Sequence, residues 1–209
     1  MSKHAWVSID GKRPGDEYGF GFPDDGLELK ELVARDNALI LDNETGQSLP
    51  GSRFPRVLET QGKPYRVPKV LGDYVRWICP VVSERLADAL RQADLGPSNL
   101  YPVTLYQRDK NITFDQSVFI LNIGVCKEAL DDEQTTMLRP FSRPYTYTIK
   151  STIKADDVVL KRNAAEGPDI WVDPKLPRKT YFVSDRLYQI LKKENLAKAF
   201  GLVRCRIAD

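Results

Sequence analysis

Two stretches of the chain, Tyr181–Leu196 "YFVSDRLYQILKKENL" and Pro80–Leu95 "PVVSERLADALRQADL", are one phrase written twice. Val82, Ser83, Arg85, Leu86, Leu90 and Leu95 recur as Val183, Ser184, Arg186, Leu187, Leu191 and Leu196, each at an offset of 101 residues. In both copies an acid follows the serine, Glu84 in one and Asp185 in the other. A serine at a helix N-cap accepts a hydrogen bond from an otherwise unpaired backbone N–H, and a carboxylate in the first turn faces the positive end of the helix dipole. Val183 before the cap is spaced to pack on Tyr188 as a hydrophobic staple, and Val82 and Ala87 form the smaller counterpart.

Leu86, Ala89 and Leu90, like Leu187, Ile190 and Leu191, fall at intervals of three and four, which places each set on one helix face. The spacing predicts helices over 83–94 and 184–195. Each is flanked by apolar runs of strand length, so two similar strand–helix–strand units are expected. The predicted fold is α+β, with a mixed, mainly antiparallel sheet and an internal duplication. Ser83 and Ser184 are read as structural helix caps. Arg85 and Arg186 are left to pair with a nearby acid or to be exposed.

Read as a nucleophile, either serine would need a base, and the chain has a single histidine, His4. Neither serine lies in a Gly-x-Ser-x-Gly turn, and the third residue after each is leucine rather than lysine. Cys79, Cys126 and Cys205 stand far apart among apolar neighbours without a histidine companion, which argues for reduced core thiols and against zinc. The acid groups Asp24-Asp25, Asp131-Asp132-Glu133 and Asp156-Asp157 read as solvated caps; Asp131 and Asp156 are where a metal-dependent enzyme would be tested. "GFGFPD" (Gly19–Asp24) lacks the third glycine and the preceding strand of a phosphate loop. No catalytic, metal-ligating or cofactor-binding residue is assigned.

The rest of the chain is read from turn formers and periodicity. Residues 1–62 form a loop-rich, acidic region in which Ala38–Leu41 reads as a strand and Leu29–Val33 as a short helix or another strand. "QGKPYRVPKVLG" (Gln61–Gly72), with its two prolines, is an extended connector, and 63–209 is the duplicated α+β domain. In that domain "DYVRWICPVV" and "YPVTLYQ" read as strands, and "SVFILNIGVC" pairs with the second as a hairpin. "KEALDDEQTTM" reads as a short helix. "YTYTIKSTIK" alternates Tyr145, Tyr147 and Ile149 on a buried face; "DDVVLKR", "DIWVD", "TYFV" and "GLVRCRI" read as short strands.

With 42% hydrophobic and 29% charged residues, the composition is that of a packed domain rather than a disordered chain. No apolar run is long enough to span a bilayer or to act as a secretory signal, so a cytoplasmic location is expected. Net charge is +2, which excludes bulk attraction to nucleic acid or anionic membrane as the main driving force. Residues 1–60 hold 7 Lys+Arg against 11 Asp+Glu, so the front carries −4 and the remainder +6. The acidic front suits a charged protein partner, and Asp24, Asp25 and Glu28 are its candidate contact residues. The alternative reading is a nucleic-acid-binding module using the basic C-terminal half, with Tyr145 or Tyr147 stacking on bases beside Arg143, Lys150 and Lys154.

"DIWVDPKLPRKTYFVSDRLYQILKKENLAKAFGLVRCRI", together with "VVSERL", "GPSNLYPVTLY" and "SVFILNIGVCKEALD", resembles a family of bacterial immunity proteins from polymorphic toxin and interbacterial-competition systems, including those linked to type VI secretion. The likeness covers about residues 65–207; the ending lacks the Gly-aromatic-Glu-aromatic run associated with that family. It implies a non-catalytic protein that holds a cognate protein toxin inactive in the cell that makes it, with no cofactor.

Overall fold

Ser83 and Ser184 each sit in extended backbone immediately before a helix, at φ −64°, ψ 163° and φ −67°, ψ 163°. Each hydroxyl accepts a backbone N–H in the first turn, from Leu86 at 3.2 Å and from Leu187 at 3.1 Å. Replacing either serine with alanine should cost about 1–2 kcal/mol. Urea unfolding checks this, and variants that unfold at the wild-type midpoint would show that the caps do not matter.

The computed structural model describes residues 4–9, 19–23, 26–60, 71–75, 77–107, 112–141, 143–177 and 180–208. In chain order its elements are β1 (His4–Ser8), β2 (Phe20–Gly21), α1 (Leu29–Glu44), β3 (Val57–Thr60), β4 (Tyr74–Val75), β5 (Val81–Ser83), α2 (Glu84–Arg91) and β6 (Asn99–Gln107). Then follow β7 (Ile112–Thr113), β8 (Val118–Asn122), β9 (Leu138–Pro140), β10 (Tyr147–Ile149), β11 (Val159–Leu160), β12 (Ile170–Trp171), β13 (Tyr181–Ser184), α3 (Asp185–Lys193) and β14 (Leu202–Ile207). The fold is α+β with mixed, mostly antiparallel sheets.

One sheet runs β11-β14-β1-β13-β12 and the other β2-β3-β6-β8-β5-β4, with β7 pairing beside β6 and β9-β10 forming a separate ribbon. The five strands of the first sheet match five of the second, in which β2 and β7 have no counterpart. In each, the strand before the helix (β5 or β13) lies between a two-residue edge strand (β4 or β12) and a longer one (β8 or β1), all antiparallel. The strand after the helix (β6 or β14) pairs antiparallel with that longer strand and parallel with β3 or β11. The registers agree as well: Ser83 faces Val118, which faces Val103, while Ser184 faces Ala5, which faces Cys205. The chain order differs, because β8 follows β6 directly whereas β1 comes from the front of the chain.

α2 and α3 lie together in one buried cluster that takes Val82, Leu86, Leu90 and Leu121 from the first unit and Ile170, Tyr181, Val183, Leu187 and Leu191 from the second. A second core, with Val7, Trp171, Phe182 and Leu160, covers the opposite face of the β1 sheet. The third, with Leu58, Val81, Val103 and Ile120, lies behind the β6 sheet and is closed by Leu39, Leu49 and Phe54. Residues 4–60 thus supply strands to both sheets, while 61–70, including the expected connector boundary at 62/63, lie outside the described residues.

Several expectations are corrected. Ala38–Leu41 is not a strand but part of α1, a 16-residue helix. Residues 27–44 contain no glycine or proline and are rich in Leu, Glu, Lys, Ala and Arg, and the Glu31 carboxylate accepts the Glu28 N–H at 3.2 Å. "DYVRWICPVV" is two short strands, β4 and β5, folded back on each other so that Tyr74 faces Val82. "KEALDDEQTTM" forms turns rather than a helix: Asp131 accepts the Gln134 N–H at 3.0 Å, and Thr135 Oγ1 and Val159 N–H bond each other's strands at 3.0 Å. Tyr145 adopts φ +58° and is exposed, and Tyr147, Thr148 and Ile149 are all half-buried, so the expected alternation of a buried and an exposed face is not found. Cys79 and Cys205 are buried thiols outside any disulfide, and burial pushes the Cys205 thiol pKa up; Cys126 is likewise not disulfide-bonded but is exposed.

Candidate functional site

Each serine cap is held by the aspartate that immediately precedes the neighbouring edge strand. Ser83 Oγ donates to Asp73 Oδ1 at 2.7 Å and its N–H to the Asp73 carbonyl at 2.9 Å. Ser184 Oγ donates to Asp169 Oδ1 at 2.6 Å and its N–H to the Asp169 carbonyl at 2.8 Å. The repeated arginines complete both brackets, Arg85 at 3.4 Å from Asp73 and Arg186 at 2.6 Å from Asp169. The brackets also reach across to each other's helix ends. Arg85 donates to the Glu194 carbonyl at the end of α3 at 3.3 Å, and Asp169 accepts the Asp94 N–H beyond α2 at 2.8 Å.

A groove of about 1230 Å³ opens beside the first bracket, on the part of the β6 sheet that α2 leaves uncovered. Its walls come from the 51–56 turn, β6, the 113–119 segment and the start of α2, with Phe54, Tyr101, Phe114 and Phe119 as its aromatic surface. Phe54 stacks on Tyr101 at 5.0 Å between centroids, and the Tyr101 hydroxyl donates to the Leu49 carbonyl at 2.5 Å. Arg56 and Arg85 stand against Asp73, Glu84 and Asp115, so the lining is close to balanced in charge. The β1 sheet is built differently at the equivalent rows. By register, Pro102 and Thr104 correspond to Arg204 and Arg206. Arg204 is bound by both carboxylate oxygens of Asp156, and Arg206 donates to Gln134 Oε1 at 3.1 Å.

Ser83 beside Asp73 in a groove resembles a nucleophile with a base. The second copy removes that reading: the same Asp–Ser–Arg arrangement stands at Ser184, which does not line the groove, and both serines are engaged as caps. What the groove offers is a concave surface of mixed polarity.

Of the acids singled out in the sequence, Asp132 and Asp156 are tied into the scaffold. The Arg204 guanidinium holds the Asp156 carboxyl below the usual carboxylate range. Lys175 at 2.6 Å does the same for Asp132, whose other oxygen accepts from the Tyr147 hydroxyl at 3.2 Å. Asp173, which pattern reading passed over, is fully buried and accepts the N–H groups of Ala129, Leu130 and Lys175 at 2.7–2.9 Å; burial pushes its carboxyl up against those bonds. Among the described residues no group of His, Cys, Asp or Glu is arranged to hold a metal ion, and no helix is long and apolar enough to cross a membrane. Of the candidate base-stacking set, Arg143 is paired with Glu44 at 3.0 Å and Tyr147 is half-buried.

Asp24 and Asp25 lie outside the described residues, and Glu28 is exposed at the start of α1. Pattern reading missed the groove and the two aspartates. Both aspartates precede their edge strands, but the spacing to the serine is 10 residues in one copy and 15 in the other, so a constant offset could not reveal them.

Comparison with known families matches residues 14–203 to the model of an immunity protein family (Imm11), a span that takes in α1 and both serine-led helices. A comparison with curated proteins finds no match.

Proposed function

Because this chain belongs to the immunity protein family Imm11, we propose that it binds a cognate antibacterial toxin in the cytoplasm of the producing cell and neutralises it by direct contact, without catalysis. The family match over residues 14–203 carries this reading. The groove supports it, since its serine is engaged as a helix cap and its aromatic and charged lining is that of a contact surface. The setting we propose is interbacterial competition, with delivery of the toxin by type VI secretion. Duplication of one unit, followed by displacement of a strand to the front of the chain, is the origin we propose for the matching sheets.

Co-expression with the toxin gene that adjoins this one tests the function. Growth should be restored, and a stable complex should elute on sizing; killing undiminished by abundant protein, with no complex, would reject the reading. Within it, the acidic front supplies part of the contact. Reversing Asp24, Asp25 and Glu28 to lysine should weaken the complex roughly tenfold, chiefly through a slower on-rate that depends on salt. Surface plasmon resonance at two ionic strengths reads this, with circular dichroism to show that α1 persists; an unchanged on-rate would remove these residues from the interface.

A further inference from the structure

α1 has two apolar faces and only one of them is buried. Leu39 and Asn43 turn into the protein, and Arg35 lies over the Phe22 ring at 3.6 Å. On the other side Val33, Ala34, Ala38 and Leu41 recur at helical spacing, and all are exposed, with Val33 at 50% and Leu41 at 47%. The large hydrophobics exposed among the described residues are Leu27, Val33, Leu41 and Tyr145, so three of the four belong to α1 or the turn leading into it. Single exposed apolar residues are ordinary on a protein surface. A contiguous stripe along one helix is the pattern of a surface that meets a partner.

Charge identifies the partner's chemistry. Residues 27–44 hold five acids, Glu28, Glu31, Asp36, Asp42 and Glu44, against Lys30 and Arg35, a net of −3. Within the fold Asp42 pairs with Arg53, Glu44 with Arg143 and Asp36 with Arg35, so the unpaired charge is that of Glu28 and Glu31 against Lys30, a net of −1, all three exposed at the N-terminal end of the stripe. An anionic membrane would repel that end, and two copies of the chain would bring like charges together. A cleft with an apolar floor and a basic rim suits both the stripe and its acids.

We propose that the outward face of α1, Val33, Ala34, Ala38 and Leu41, is the wedge that enters such a cleft on the cognate toxin. This rests on the immunity reading above. It also gives the groove a defined role in the test: the Asp42–Arg53 bridge at 2.7 Å ties the end of α1 to the turn that lines the groove, so the two surfaces adjoin and must be separated by mutation.

The probe is the purified, catalytically inactivated product of the adjoining toxin gene, titrated calorimetrically into the full chain. Val33→Arg with Leu41→Arg should weaken binding at least 100-fold and abolish growth protection, while thermal melting stays at the wild-type value. Thr104→Arg, in the groove, should weaken binding by no more than about tenfold, well short of the loss in the α1 variant. If the wild type binds and protects, and the α1 variant does so equally well, the wedge is wrong while the immunity reading stands. Loss of binding in Thr104→Arg with the α1 variant intact assigns the site to the groove and overturns the wedge. So does a wild-type dimer, or vesicle binding, that the α1 substitutions abolish without changing toxin affinity. A wild type that neither binds nor protects brings down both readings.

Discussion

Replacing Asp169 with alanine should lower the stability of the protein by about 2–4 kcal/mol, with a fall in Tm on the order of 10 °C. The side chain is nearly buried, at 7% exposure, and holds several groups at once: the Ser184 hydroxyl, the Arg186 guanidinium and the Asp94 N–H. Alanine leaves the hydroxyl and the N–H without acceptors in a site too enclosed for water to replace the carboxylate fully. It also cuts the tie between the start of α3 and the end of α2, so both helices lose a constraint. Arg186, at 61% exposure, regains solvent and limits the loss.

Asp73→Ala provides the internal comparison. Its carboxylate is 32% exposed and its arginine stands off at 3.4 Å, so the effect should be about 1–2 kcal/mol. Asp169→Asn keeps one acceptor and should fall between wild type and alanine. Differential scanning calorimetry on the four proteins decides it. An Asp169→Ala protein that melts with the wild type would mean that the bracket holds nothing together.

How far the sequence could be read follows from the range of the interactions involved. A helix start is local chemistry, so Ser83-Glu84 and Ser184-Asp185 announced α2 and α3 within four residues of each cap. The strands after the helices were legible for the same reason, each being a short apolar run of strand length. α1 was misread because an apolar run of four, Ala38 to Leu41, fits a strand as well as it fits a helix with apolar residues on two faces. The exposed stripe that produced this ambiguity is itself the feature that marks α1 as a surface element. The groove was out of reach altogether, since its walls come from segments as distant as Gly51 and Phe119. The same limit hid the partners of β1, which bonds to segments more than 170 residues away in sequence.

That first strand leads to the largest effect expected. β1 is the middle strand of its sheet, paired through Ala5–Ser8 with β13 and through His4–Ser8 with β14, and Ala5, Val7, Ser8 and Ile9 are buried. Trp6 stacks on Tyr188 of α3 at 3.4 Å and donates to Asp185 at 3.2 Å, while Ser8 Oγ bonds the Phe200 carbonyl. Deleting residues 1–9 therefore leaves β13 and β14 as two unpaired strand edges around an open core. At about 1.5–3 kcal/mol for each large side chain lost from burial, the loss approaches the whole stability of a typical domain. The truncated chain should be insoluble, or soluble with no cooperative melt.

Rescue separates a missing strand from a missing sequence signal. His4 faces Arg206 across the ladder, so the start of β1 lies beside the end of β14, and the antiparallel pair can be closed by a hairpin turn. Moving residues 4–9 behind residue 208 through a turn of about four Gly/Ser residues should restore solubility and a cooperative transition close to that of the intact protein. In that arrangement the second unit acquires the chain order of the first, in which β8 follows β6. A permuted chain no better folded than the truncated one would show that β1 is required at the front for some reason other than the strand pairing seen here.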